Sequence, residues 1–185
     1  MSLRIYITGG AGTGTTTLGR ALSAALGVTH LDTDDFYWAP VDPPYTAKRG
    51  VAERLALLGA AQGPGGWVLS GSADGWGDPV LTEVDLVVFL RLPTAQRMLR
   101  LRRREQARFG DRVAPGGDME RTHRAFLDWA SSYDDPYFGG RSLHRHLSWL
   151  STRSEPVLEL SGAVPTEAQV EACLGVLAPR RVAEG

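Results

Sequence analysis

The sequence predicts an α/β protein built on a doubly wound, five-stranded parallel β-sheet that carries a helical lid. Short apolar segments alternate with helical ones along the 185 residues, which is typical of a parallel sheet covered on both faces. The run DLVVFLRL at 85–92 is almost unbroken in its apolar residues, as expected of a strand buried on both sides. A glycine-rich segment follows the first strand, at the sheet edge where such folds bind ligands.

The elements follow in order from local patterns. We predict strands over 3–8, 29–31, 67–70, 85–92 and 156–160. Apolar residues at helical spacing predict a helix that Gly27 ends, and further helices over about 47–61, from 94, from about 119 and from 166. In the helix that begins at 94, apolar residues stop after Leu101 while arginines continue to Arg108. We therefore expect this helix to project from the body.

The composition excludes several classes of protein. A formal net charge of −1 provides no overall basic field for a nucleic-acid backbone. No apolar run approaches the ~20 residues that span a bilayer, and no charged-then-apolar leader opens the chain. The single cysteine, Cys173, excludes an intrachain disulfide and a cysteine-built zinc site. We expect a cytoplasmic protein with no nucleic-acid or membrane partner; its oligomeric state is not predicted.

Residues 9–17, here called the phosphate loop, follow a strand and open a helix in the frame G-x-x-x-x-G-x-T. Glycines let successive backbone N–H groups point inward, and the helix start adds a positive dipole end, so the segment suits a phosphate. We predict that it binds a nucleoside triphosphate through Gly9, Gly10, Ala11, Gly12, Thr13, Gly14, Thr15, Thr16 and Thr17. Thr16 stands where a hydroxyl ligates Mg²⁺.

Two other interpretations of this loop stay open. It is also compatible with a strand-to-helix turn that binds nothing. The spacing of Gly9, Gly12 and Thr15 is in addition close to a dinucleotide-binding turn, in which an acid after the second strand would meet a ribose.

From this loop through the acids at 32–35, the sequence resembles the small P-loop kinases: the nucleoside monophosphate, shikimate and gluconate kinases. It is most similar to bacterial adenylate-kinase-like proteins in which His-Leu-Asp and a Trp follow the second strand, as His30-Leu31-Asp32 and Trp38 do here. The resemblance implies ATP and Mg²⁺ as cofactors and one domain over 1–185. It also implies an acceptor-side region over about 36–66 and a lid over about 102–118. Thr15 departs from the family, which has a phosphate-binding lysine there.

In the resembling kinases, an Asp-x-Asp after the second strand serves Mg²⁺ and the acceptor hydroxyl, and Asp32 and Asp34 match it. We assign Asp32 to the metal together with Thr16, and Asp34 to the acceptor as the catalytic acid–base group. Candidate acceptor contacts are Asp34, Trp38, Arg49, Ser70, Gly71 and Ser72. The neighbouring Lys48 is the only lysine of the chain.

Four arginines, at 97, 100, 104 and 108, have the spacing of one helix face. Arg100 and Arg104 match the Arg-x-x-x-Arg before the lid of nucleoside monophosphate kinases. We predict that Arg100, Arg104 and Arg108 are catalytic, taking over the work of the missing lysine. Arg141 and Arg145 form a second pair at helical spacing. His144 and His146 fall on different helix faces, which argues against a metal site.

Beside the dinucleotide-binding protein left open above, two functions are favoured. The first is transfer of the γ-phosphoryl group of ATP to a small acceptor, either a nucleoside monophosphate or a small hydroxylated metabolite. The second is a non-catalytic nucleotide-binding protein derived from such a kinase, which Thr15 favours.

Overall fold

Five parallel strands form one sheet in the order β2-β3-β1-β4-β5 in the computed structural model, which describes residues 3–182. The strands are β1 (Arg4–Gly9), β2 (Thr29–Asp32), β3 (Trp67–Ser70), β4 (Leu86–Arg91) and β5 (Val157–Ser161). The predicted fold class is therefore confirmed. The ends of the predicted domain, residues 1, 2 and 183–185, lie outside the described residues.

Seven helices connect or follow these strands within the described residues. They are α1 (Thr15–Leu26), α2 (Thr33–Tyr37), α3 (Val51–Gln62), α4 (Thr94–Phe109), α5 (Glu120–Ser131), α6 (Leu143–Leu150) and α7 (Thr166–Val182). Gly27 adopts a φ of 69° directly after α1, which confirms the predicted stop. Nowhere between residues 3 and 182 does a helix combine the length and apolarity needed to cross a membrane.

The side chains of β1 alternate between two helical layers. Ile5 and Ile7 pack with residues of α1 and α7, including Cys173, which is 0% exposed. Tyr6 faces the opposite layer and meets Trp149 of α6 edge to face, with ring centroids 5.5 Å apart. The strand is thereby held from both sides, and its carboxyl end has a fixed position.

The strand order argues against a dinucleotide-binding turn. In that fold the second strand lies beside the first, in the order 3-2-1-4-5. Here β3 lies between β2 and β1, and Ser70 pairs in register with both Ile7 and Asp32. The carboxyl end of β2 is thus separated from the phosphate loop by one strand, β3.

The segment 33–50, between β2 and α3, contains regular structure. The Asp32 side chain accepts a hydrogen bond of 3.1 Å from the backbone N–H of Asp34 and so caps the short helix α2. Trp38 and Lys48 then form an isolated antiparallel bridge. Because this bridge uses the residues before Val51, α3 begins later than predicted.

Helix α4 packs against α5, and that its outer part projects from the body stays a prediction. Leu101 is 0% exposed and, with Met98, packs against Ala130 of α5. Phe126 and Trp129 add to this cluster. The apolar stripe of α4 is indeed short, but α5 lies along it and supplies large side chains.

Arg97 does not share an exposed face with the other arginines of α4, since its side chain is 0% exposed. Its guanidinium donates to the backbone oxygens of Leu92 (3.2 Å), Ala11 (3.3 Å) and Ala130 (3.1 Å). It also forms an ion pair of 3.4 Å with Asp134. One side chain therefore ties α4, α5, the end of β4 and the phosphate loop together.

We expect Arg97→Ala to lower the free energy of unfolding by about 2 to 4 kcal/mol, because it leaves buried carbonyl oxygens without donors. Urea denaturation measures the change. The matched control is Arg102→Ala, which removes an exposed arginine from the same helix and should stay within about 0.5 kcal/mol of the wild type. Equal losses in the two variants would contradict the structural role of Arg97.

Candidate active site

The phosphate loop curls tightly between β1 and α1. Gly12 and Gly14 have φ values of 87° and 106°, which favour glycine. A Cβ on Gly12 would also lie 2.8 Å from the backbone oxygen of Arg97. The Thr13 hydroxyl and N–H both donate to the Gly10 carbonyl, at 2.8 and 3.1 Å. No side chain caps α1, so its first N–H groups point into the cleft as donors for an anion.

Thr16 and Asp32 meet beside this loop, as the assignment of both to one metal requires. The Thr16 hydroxyl donates a 2.9 Å hydrogen bond to the Asp32 carboxylate. Hydroxyl and carboxylate oxygens are ligands that suit Mg²⁺, which binds few protein groups and keeps several waters and phosphate oxygens. In keeping with this, the described part of the chain holds no cluster of three or more His, Cys, Asp or Glu suited to a metal.

Asp34 lies at the mouth of the cleft, exposed but closely surrounded. Desolvation by the surrounding protein and the negative charge of Asp32 raise its pKa above the usual value for aspartate. The charges of Arg141 and Arg104 and a hydrogen bond from the Trp38 side chain act in the opposite direction. A carboxylate whose pKa is raised is a better proton acceptor than an ordinary aspartate.

Aromatic rings line the cleft next to Asp34. Trp38 lies edge-on to Tyr37 and Tyr45, with ring centroids 4.9 and 5.9 Å away. The Lys48 ammonium lies 5.7 Å from the Tyr37 ring centroid and 5.8 Å from that of Trp38. The rings pin the loop and at the same time provide a rigid wall.

Arg49 and Ser70 have partners within the protein. The Arg49 guanidinium donates to the backbone oxygens of Asp35 (2.8 Å) and Trp38 and pairs with Glu53 at 3.1 Å. Ser70 is 0% exposed and its hydroxyl lies 2.9 Å from Nε2 of His30. Both side chains brace the walls of the cleft.

Gly71 and Ser72 follow β3 at the edge of the cleft. The Gly71 N–H donates to the Ile7 carbonyl at 3.0 Å, and the Ser72 hydroxyl bonds to the Asp74 carboxylate. Gly71 has a φ of 110°. The chain therefore turns sharply here and brings Ser72 and Asp74 within 3.3 and 3.2 Å of Nε2 of His146.

The three predicted catalytic arginines are spread along the exposed side of α4. Arg100 donates to the carbonyls of Thr13 (3.4 Å) and Gly162 (3.0 Å), against the phosphate loop. Arg104 pairs with Glu105 at 2.8 Å, and its charge also acts on Asp34 as described above. Arg108 lies farther out, 5.1 Å from the ring centroid of Tyr45.

Arg141, from the second arginine pair, has surroundings that the helical spacing does not indicate. Its Nε atom is out of contact with solvent and has no hydrogen-bond partner among the described residues. Its guanidinium lies 4.7 Å from the ring centroid of Trp129, and its positive charge lowers the pKa of both Asp34 and Asp74. The Gly139-Gly140 pair directly before it is the feature of the sequence that could have indicated this position. Two successive glycines give a loop the conformational freedom to approach a cleft.

Asp74 and His146 were missed as a pair. His146 is 0% exposed, and its Nε2 atom lies 3.2 Å from the Asp74 carboxylate. Burial alone would raise the pKa of Asp74, but the hydrogen bond and charge of His146, the Ser72 hydroxyl and Arg141 together lower it to about 2. No spacing in the sequence indicates a contact between residues 72 positions apart.

The comparisons with known proteins agree on the fold. The chain matches no family model. It is 41% identical over 178 residues to the uncharacterized protein YqaC of Bacillus subtilis (strain 168), a match that covers 96% of this chain and 98% of YqaC.

Among solved structures, the chain resembles a gluconokinase from Sinorhizobium meliloti 1021, with a TM-score of 0.52 and 17% identity over 98% of this chain and 94% of that one. A sugar kinase from Janibacter sp. HTCC2649 gives a TM-score of 0.52 and 16% identity, covering 96% and 95%. At these identities the likeness concerns the fold alone, which is that of the P-loop kinases.

Proposed function

The chain belongs to the same family as YqaC, and we propose that it is a P-loop kinase that transfers the γ-phosphoryl group of ATP to a small acceptor. The observation that carries this proposal is the 2.9 Å contact between the Thr16 hydroxyl and the Asp32 carboxylate. Thr16 and Asp32 are too far apart in the sequence to belong to one simple turn. Their side chains nevertheless meet beside uncapped N–H groups at the start of α1. A ligand-free turn would have no need of either feature.

ATP would bind with its phosphates in the loop over Gly9 to Thr17, where the backbone N–H groups orient them. Thr16 and Asp32 would hold Mg²⁺, which supplies charge neutralisation at the phosphate oxygens. Asp34 would accept the proton of the acceptor hydroxyl as that oxygen forms its bond to the γ-phosphorus. The bond from the γ-phosphorus to the β–γ bridging oxygen breaks, and ADP leaves with that electron pair.

The acceptor would lie between Asp34, Trp38, Gly71 and Ser72. In this proposal Arg49 and Ser70 support the walls, because their polar groups are already occupied. The acceptor-side region at about 36–66 and the lid at about 102–118 form the two sides of the cleft.

Two contacts between the lid and the acceptor-side region support closure of the cleft over a ligand. Arg112 at the tip of the lid forms a 2.9 Å ion pair with Asp42 of the acceptor-side region, and Arg108 stacks near Tyr45.

Positive charge from several elements would replace the missing lysine. Arg104 and Arg141 both act electrostatically on Asp34, and Arg100 lies against the phosphate loop. Arg141 is the strongest candidate, since part of its guanidinium is desolvated without a partner. A phosphate oxygen would supply the acceptor that its Nε–H lacks.

Thr15 supports a second candidate function, binding of a nucleotide without turnover. The two candidates differ in one respect only, because both require a nucleotide in the phosphate loop.

The experiment that tests the proposal joins calorimetry with a screen for activity. We expect MgATP and MgADP to bind the wild type and to raise its stability by ~2.7 kcal/mol at a hundredfold excess over Kd. ADP release should then appear with one of a panel of phosphorylated or polyhydroxylated acceptors. Binding without ADP release across the panel would favour the non-catalytic function, and absence of binding would overturn both.

We expect Asp34→Asn to lower kcat by ~10² to 10⁴-fold while the Kd of MgADP changes little, because the carboxylate is assigned to the acceptor proton and not to the phosphates. Steady-state kinetics and calorimetry measure the two effects. Asp35→Asn is the matched control, since Asp35 is an exposed neighbour on the same short helix and should retain wild-type kcat. Equal kcat in both variants would remove Asp34 from the chemistry.

We expect Arg141→Ala to lower kcat by about 10³-fold or more, the scale of an arginine that stabilises transferring phosphoryl charge. Arg145→Ala removes an exposed arginine one helical turn away and should leave kcat unchanged. Thr15→Lys should tighten MgATP binding and restore part of the activity of Arg141→Ala. The account of the missing lysine is wrong if the two arginine variants behave alike and Thr15→Lys has no effect.

A further inference from the structure

A buried chain of hydrogen bonds runs beneath the cleft, and of its members only Ser72 enters the proposed reaction. His146 lies at its centre, with Nδ1 2.6 Å from the Tyr133 hydroxyl and Nε2 3.2 Å from the Asp74 carboxylate. The hydroxyls of Ser72 and Thr8 lie 3.3 and 3.5 Å from the same Nε2 atom. Side chains from β1, from the turn after β3 and from the turn after α5 thus converge on one imidazole of α6.

The direction of the bonds follows from the chemistry of the partners. The low pKa of Asp74 means that its carboxylate only accepts hydrogen bonds. Nε2–H of His146 therefore donates to Asp74, and Nδ1 on the other side of the ring lies 2.6 Å from the Tyr133 hydroxyl. Asp74 in this way fixes the orientation of the His146 ring and, through it, that of Tyr133.

One end of this chain lies against the nucleotide site. A Cβ on Gly10 would be 3.0 Å from Cε1 of Tyr133, so the tyrosine ring packs directly beneath the phosphate loop. On the same ring lies the guanidinium of Arg97, 4.7 Å from its centroid. Because the interior is densely packed, a displaced Tyr133 would shift the backbone at Gly10.

The other end lies at the acceptor side. The Asp74 side chain is only 7% exposed and accepts from Ser72, which we place next to the acceptor. An acceptor that hydrogen-bonds to Ser72 competes with this contact and changes the partners of Asp74.

We propose that His146 is a positioning residue that couples the acceptor-side pair Ser72–Asp74 to the phosphate loop through Tyr133. This inference rests on the proposed function only in taking residues 9–17 as the nucleotide site. Its distinctive consequence is that Asp74, which does not touch the loop, controls nucleotide affinity by way of the Tyr133 hydroxyl.

A double-mutant cycle with MgADP as the probe tests this coupling by calorimetry. Tyr133→Phe and Asp74→Asn should each raise the Kd of MgADP by about three- to tenfold, the size of one neutral hydrogen bond. The double variant should be no weaker than the weaker-binding single variant, since both changes break one pathway. Tyr137→Phe, at a tyrosine 93% exposed, and His144→Gln, at an exposed histidine of α6, are the matched controls and should bind like the wild type.

Additive effects of the two substitutions, or an unchanged Kd in Asp74→Asn, would overturn the coupling while leaving the nucleotide site in place. A wild type that binds no MgADP would instead overturn the proposed function. A second measurement remains valid in that case: the amide resonance of Gly10 should move in Asp74→Asn, but not when Asp74→Asn is added to Tyr133→Phe. A Gly10 resonance that does not respond to Asp74→Asn overturns the inference without any nucleotide.

Discussion

The guanidinium of Arg97 donates hydrogen bonds to the carbonyl oxygens of Ala11 and Ala130 at 3.3 and 3.1 Å, with no exposure to solvent. The phosphate loop has few side chains of its own to hold its curl. Its outer wall therefore depends on this buried cation, on Arg100 at the Thr13 carbonyl and on the ring of Tyr133 packed below it. Every group proposed for binding or chemistry is positioned relative to that loop, so the support provided by Arg97 is the constraint on which the cleft depends.

A loop that lacks a lysine has a different electrostatic design from one that contains it. A lysine within the loop brings its charge to the phosphates in every conformation. In the proposed kinase the charge would come from α4 and from the segment before α6, through Arg100, Arg104 and Arg141. Full electrostatic stabilisation then requires that these elements stand over the loop. The contact of Arg112 with Asp42 holds the lid and the acceptor-side region together across the cleft. Salt would weaken this ion pair because both groups are exposed.

The sheet and the phosphate loop could be predicted because their signals are local. Residues 67–70 are apolar in succession, and the glycines at 9, 12 and 14 mark a turn whatever surrounds them. The pairing of Thr16 with Asp32 followed from a resemblance, since the family's motif carries both.

The remainder depends on contacts between distant segments, which no local pattern encodes. The short apolar stripe of α4 indicated a projecting helix because nothing in it shows that α5 supplies Phe126 and Trp129. Arg97 had the spacing of an exposed face, yet carbonyl oxygens from three segments make its burial favourable. His146 was set aside as a metal ligand, and the partners that give it a role come from β1, the end of β3 and the turn after α5.

The central claim is that the backbone N–H groups of residues 9–17 bind nucleotide phosphates although no lysine is present in the loop. Amide hydrogen exchange of the wild type, with and without saturating MgADP, tests it most directly. The account predicts slower exchange concentrated in the loop and in the first turn of α1, with little change along α3 and α7. Unchanged exchange in the loop under conditions where MgADP binds elsewhere, or does not bind at all, would contradict it.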